Sequence, residues 1–164
     1  MKKTIALFII CLIVSNLIAQ DEFSIAKVGE QVPEFSITKS DGSVLNINDL
    51  KGKVVMINFF ATWCGPCGIE LPEVEKEIYN KFKDKNFVLL VIGRNHTYPE
   101  LEKFNTFSFP MYSDPNRQIF DMFAKQSIPR NYLIDKDGKI VLATVGYVEE
   151  EFKQFPKKIE QLLK

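Results

Sequence analysis

Two cysteines lie three positions apart in the stretch "ATWCGPCGIELPE" (61–73): Cys64 and Cys67, with only Gly65 and Pro66 between them. Such a pair serves as a structural staple, as half of a metal site, or as a dithiol that makes and breaks a disulfide. The staple is a poor use, because the entropy that a crosslink removes from the unfolded chain grows with loop length and this loop is minimal. A structural zinc needs four ligands, and the other soft ligand in the body of the chain is the single His96. Attachment of a c-type haem requires His directly after the second cysteine, where Gly68 stands. Redox exchange is left, and it needs a place that stabilises a thiolate.

The flanking elements supply one. "KVVMINFF" (53–60) and "NFVLLVIG" (86–93) are nearly continuous apolar runs, as in strands buried on both faces. Between them Leu71, Val74, Ile78 and Phe82 recur at helical spacing along one face. Strand, helix and strand form a βαβ unit with a right-handed crossover and a parallel strand pair. The cysteines fall where the first strand feeds the helix, so Cys67 stands one turn beyond Cys64 at a separation a disulfide tolerates. Unpaired N–H groups and the positive end of the helix dipole favour a thiolate there. Cys64, nearer that end and nearer solvent, is the expected attacking sulfur, and Cys67 the resolving one.

The remaining elements complete an α/β fold. "FSITKSDGSVLNINDL" (35–50) reads as a β-hairpin around Asp41-Gly42, and "NYLIDKDGKIVLATVG" (131–146) as a second around Asp137-Gly138. A helix is expected from Thr97-Tyr98-Pro99 to about Phe107, and another with Asp114 as its cap and Pro115 in the first helical position. A last helix runs from Glu149 to Lys164, kinked or interrupted near Pro156. The sum is a central mixed β-sheet flanked by helices, with an added N-terminal β-hairpin. At 164 residues, 46% apolar, with 14 Phe and no repeat or linker, the chain makes one globular domain.

Lys2, Lys3 and the uncharged Thr4 to Ala19 read as an export signal cut after Ala19, with a retained anchor as the alternative. The expected organisation is therefore a signal peptide over 1–19, a flexible tail over 20–27 and the domain over 28–164. Cys11 falls in the discarded segment. Without Lys2 and Lys3 the 21 basic residues fall to 19 against 21 acidic, which leaves no polycationic surface for nucleic acid. The expected location is the periplasm or cell envelope, with membrane contact only if the N-terminal segment is kept.

"WCGPC" between a hydrophobic strand and a helix resembles the thioredoxin active-site motif. "VGEQVPEFSITKSDGSVLNINDLKGKVVMINFFATWCGPC" together with "SIPRNYLIDKDGKIV" resembles the exported TlpA/ResA-like thioredoxins, from about Val28 onward. The resemblance implies a thioredoxin-like fold and a thiol-disulfide oxidoreductase that cycles a Cys64–Cys67 disulfide and uses no other cofactor and no metal. Its partners would be an envelope protein whose disulfide is the substrate and an upstream thiol reductant. Ile128-Pro129 matches the family's cis-proline segment, which presents backbone to a substrate peptide. Arg130 replaces the Thr common after it, either biasing the groove toward acidic partners or standing exposed without consequence.

Thioredoxins proper carry a buried Asp six residues before the first cysteine, but Asn58 stands there and cannot titrate. The exported subfamily carries a Glu three residues after the second cysteine, and Glu70 matches it. Glu70 would relay the proton of Cys67; otherwise it is a first-turn acid favoured by the helix dipole. Trp63 would pack beside the site and shield it, Gly65-Pro66 would hold the turn and favour reductase chemistry, and Pro72 matches the family's helix kink. His96 reads as a surface residue. The same residues would also suit an isomerase or oxidant, and the fold alone would suit a non-catalytic binding module. "ATWC" lacks the Thr-x-x-Cys arrangement of the peroxiredoxins.

Overall fold

A computed structural model describes residues 22–164, so the export signal expected over 1–19 lies outside the described residues. The first two strands are the expected hairpin, β1 (Ser36–Thr38) paired antiparallel with β2 (Val44–Asn46) as a separate two-stranded sheet. Gly42 turns it, at φ +82°, a conformation that costs an L side chain but not glycine. Next come β3 (Val54–Phe60) and α1 (Gly65–Glu73), which continues through a π-helical stretch (Val74–Tyr79) into α2 (Asn80–Phe82). Pro72 inside α1 has no N–H to offer the carbonyl one turn back, and the widened π-helical turn follows directly after it.

Then follow β4 (Phe87–Arg94), α3 (Tyr98–Phe104), β5 (Met111–Asp114), α4 (Phe120–Phe123), β6 (Arg130–Ile134), β7 (Ile140–Val145), α5 (Glu149–Phe152) and α6 (Gln154–Leu162). The main sheet has the order β5-β4-β3-β6-β7. Strand β3 runs parallel to β4, and β4 to β5, while β6 is antiparallel to both β3 and β7. The mixed thioredoxin-like sheet with its N-terminal hairpin is therefore as expected.

Period-two alternation along β3 sends Val54, Met56 and Phe60 to one face and Val55, Ile57 and Phe59 to the other. The first set packs with Leu71, Val74, Ile78 and Phe82 of the α1–α2 stretch and with Phe155 and Ile159 of α6. The second packs with Phe35, Ile37, Phe120, Phe123 and Tyr132. All seven β3 residues are buried, so the strand that carries the cysteines' loop is rigid from both sides.

Several expectations changed. Strand β5 was not legible, and the helix placed at Asp114-Pro115 forms only at Phe120–Phe123. Asp114 still caps it, accepting from the amides of Ile119 (3.2 Å) and Phe120 (2.9 Å), but the intervening residues turn, with Arg117 at φ +59°. The last helix breaks at Lys153, because Pro156 has no N–H for the carbonyl of Phe152.

The flexible tail expected over 20–27 is docked where it is described. Ile25 N and Ala26 N donate to Phe123 O (2.9 and 3.1 Å), Lys125 N donates to Phe23 O (2.9 Å), and Ala26 joins the core beside Phe35. Backbone pairing with the end of α4, which a tail sequence does not announce, is the reason. Among the described residues no helix is long and apolar enough to cross a membrane.

Candidate active site

The loop after β3 delivers Cys64 to the N-cap position of α1, with Gly65 and Pro66 as its first two residues. Pro is suited to this place, since amides in the first turn have no intrahelical acceptor. Cys64 and Cys67 form a disulfide with Cα atoms 5.3 Å apart. The Cys67 amide points back at Cys64 Sγ, 3.3 Å away, so one of the helix's free N–H groups is aimed at the sulfur. Together with the dipole it stabilises negative charge on Cys64 once the bond is open. Cys64 retains 7% exposure and Cys67 only 1%, so an incoming sulfur meets Cys64 first.

Across from the disulfide the Ile128–Pro129 peptide bond is cis, and Ile128 O lies 3.8 Å from Cys64 Sγ. Two neighbours hold this turn. Gly146 N donates to Pro129 O (2.8 Å), and Arg130 Nε is shared between Gln126 O and Ser127 O (both 2.9 Å).

Beneath α1 a polar ladder crosses three strands. Asn58 on β3 lies directly opposite Asn131 on β6, which lies opposite Thr144 on β7. Asn58 Nδ2 donates to Asn131 Oδ1 (2.8 Å) and to Glu70 Oε2 (3.0 Å), while Asn131 Nδ2 donates to Glu70 Oε1 (2.5 Å) and reaches Thr144 Oγ1 at 3.4 Å. Glu70 is 1% exposed, and among the described residues no cation is bonded to its carboxylate. Burial pushes its pKa up to about 7, against the two amide donors, which pull it down. A carboxyl poised near neutrality, one helical turn from Cys67, is able to take up or release a proton as that sulfur changes state.

The Redoxin family matches residues 27–163 of the chain. The chain belongs to the Redoxin family. Among curated relatives, the thiol-disulfide oxidoreductase ResA of Bacillus anthracis is 34% identical over 137 residues, covering 81% of this chain and 79% of the relative. ResA of Bacillus subtilis (strain 168) is 29% identical over 152 residues, covering 89% and 84%. Among solved structures, a candidate protein disulfide isomerase from Bacteroides thetaiotaomicron superposes with a TM-score of 0.82 at 39% identity, covering 86% of this chain and 92% of that one. A candidate thiol:disulfide interchange protein DsbE from Chlorobium tepidum superposes at 0.74 and 27% identity, covering 85% and 99%. This Redoxin-family member is a thioredoxin-like thiol-disulfide oxidoreductase.

In this oxidoreductase the residues named from the sequence converge on one end of the sheet: Cys64, Gly65, Pro66 and Cys67 on the helix turn, Ile128 and Pro129 facing Cys64, and Glu70 under the helix. Three placements differ from expectation. Trp63, expected to shield the site, is 64% exposed and lies with its ring against Arg94, the guanidinium carbon 5.4 Å from the ring centroid. Arg130 is fully buried rather than exposed in a groove, because strand alternation turns it away from α1 to the face where Ser24 meets its Nη1 at 2.8 Å.

His96 is buried, not a surface residue: its Nε2 accepts from Thr62 N (3.0 Å), and burial depresses its pKa. Strand β3 ends at Phe60, so the Thr62 amide has no ladder partner and the imidazole supplies one. Asn131 and His96 are the site neighbours that sequence reasoning missed. Asn131 directly follows Arg130 in β6, and strand alternation, which puts neighbouring residues on opposite faces, was a usable signal for the first; nothing local signalled the second.

Proposed function

We propose that the protein is an exported reductant of disulfides in other envelope proteins. The observation that carries this reading is the asymmetry of the pair: Cys64 at the rim, facing Ile128 O and an aimed amide, and Cys67 buried above a protonatable Glu70. In the reduced protein the Cys64 thiolate attacks one sulfur of a substrate disulfide. A Cys64–substrate bond forms, the substrate S–S bond breaks, and the first substrate thiolate takes a proton from solvent. Cys67 then gives its proton to the Glu70 carboxylate, directly or through water, and attacks Cys64 Sγ. The Cys64–Cys67 bond closes, the second substrate sulfur leaves as a thiolate that takes a proton from solvent, Glu70 returns its own proton to solvent, and two electrons have passed to the substrate. A dithiol donor in the envelope restores the reduced pair by the reverse exchange, with no cofactor or metal beyond the disulfide itself.

Export is supported by the leader-like start of the sequence, and the reducing direction by the Gly65-Pro66 pair. Cys67→Ser is expected to leave a stable mixed disulfide between Cys64 and its natural partner, identifiable by mass from envelope extracts; Cys64→Ser should trap none and reduce no substrate. Activity surviving Cys64→Ser would rule the mechanism out. The likeness to a candidate disulfide isomerase favours a second reading in which the same residues reshuffle substrate disulfides. A reduction potential close to that of protein disulfide isomerase, about −180 mV, would favour it, and one near that of thioredoxin, about −270 mV, would favour the reductant.

A further inference from the structure

Arg94 ends β4 beside the active-site loop and is only 9% exposed. Its guanidinium carbon sits 4.8 Å from the centroid of the Phe120 ring and 5.4 Å from that of Trp63. Among the described residues it makes no ion pair, and its Nε is buried without a hydrogen-bond partner. A buried guanidinium without a counter-charge is costly, and stacking on two rings returns only part of that cost.

The acids within reach are committed elsewhere. Asp114 is the register partner of Arg94 on β5, yet both its carboxylate oxygens are taken by the amides of Ile119 and Phe120. Asp121 is held by Arg117, whose Nε and Nη2 donate to it at 3.1 and 2.7 Å. Arg117, paired with Asp121, also stacks on Phe120, 5.2 Å from its centroid, and brings a like charge near Arg94. Arg94, left without an acid of its own among the described residues, adjoins Trp63, the chain neighbour of the attacking Cys64.

We propose that Arg94 anchors a carboxylate-binding subsite beside the disulfide, selecting partner proteins that carry an acidic side chain next to the cysteine they bring to Cys64. The planar guanidinium fork suits a carboxylate, and the exposed Trp63 ring gives the neighbouring peptide an apolar surface to lie on. The subsite rests on the reading that a protein cysteine is delivered to Cys64, but not on the direction of electron flow.

The test uses two short amidated peptides, a single cysteine flanked by glutamates in one and by glutamines in the other, each supplied as its symmetrical disulfide. Rates of reduction by the reduced protein are normalised to the rates with dithiothreitol. At low salt the glutamate peptide should react about tenfold faster, the ratio falling toward one in high salt and in Arg94→Gln. Equal normalised rates for the wild-type protein at low salt overturn the subsite and need no variant to do so.

If neither peptide is reduced above background, the reductant reading fails, and binding to the oxidised protein decides the subsite alone. Trp63 is the single tryptophan, so its fluorescence reports on the ring that Arg94 touches. Titration with serine-for-cysteine versions of the two peptides should show the glutamate peptide binding the tighter. Coincident titrations, or no signal from either, overturn the proposal.

Discussion

Glu70 is held by two amide donors that stabilise its charged form, and burial still wins, leaving the carboxyl near neutrality. Because its folded pKa of about 7 lies above the ordinary 4.5, the folded protein keeps a proton that the unfolded chain releases. The stabilisation this gives is complete below about pH 4.5 and is lost as pH rises through about 7, roughly 3 kcal/mol across that window. Urea unfolding of the oxidised protein at several pH values should show this fall, and Glu70→Gln should flatten it. In the reduction assay the same variant should slow the step that releases the second substrate thiol by about tenfold to a hundredfold and remove the inflection near neutrality. An unchanged pH–rate profile would return Glu70 to a purely structural place under the helix.

At the scale of elements, the cysteine loop depends on β4 as much as on β3. Thr62 N is bonded to the His96 ring, Ser113 Oγ donates to His96 O (2.7 Å), and the turn that carries His96 lies against Gly93. A Cβ at Gly93 would come within 2.6 Å of Leu101 Cδ2 and 3.3 Å of His96 Cβ. Gly93→Ala should therefore destabilise the fold by about 1–3 kcal/mol, read from the denaturant midpoint. His96→Ala strands the Thr62 amide and should cost about 1–3 kcal/mol, with faster hydrogen exchange at Thr62. A change in the reduction potential of the pair in that variant would show that the ring positions the loop as well as stabilising it. On the far side, Arg130 holds the carbonyls of Gln126 and Ser127 and so braces the turn that presents Ile128 to Cys64.

Over the whole molecule, the segment before the hairpin is part of the domain. Removing residues up to 26 would take away the bonds from Ile25 N and Ala26 N to Phe123 O, the Lys125 N bond to Phe23 O and the Ser24 contact to buried Arg130. Such a truncation should lower the denaturant midpoint and speed hydrogen exchange at Lys125, while the amides of β3 stay protected. The βαβ unit, the hairpins, the buried helix stripe and the redox pair were legible because each rests on local spacing: apolar runs, Asp-Gly turns, a three-residue cysteine gap. Glu70 and the proline after Ile128 were legible as matches to a family pattern, but their surroundings were not. What lies beside a residue across a sheet depends on register, and register joins Asn58 to Asn131 over 73 residues of sequence. The same long-range pairing buried His96 against Thr62, turned Arg130 inward and left Arg94 stacked on Trp63 with no ion pair among the described residues. The sequence by itself determined which chemistry this protein carries, since a thiol pair at a strand-to-helix junction is a local fact. Only the tertiary structure decided how the pair is tuned and what lies beside it, because burial, charge pairing and amide satisfaction are properties of neighbours brought together by the fold.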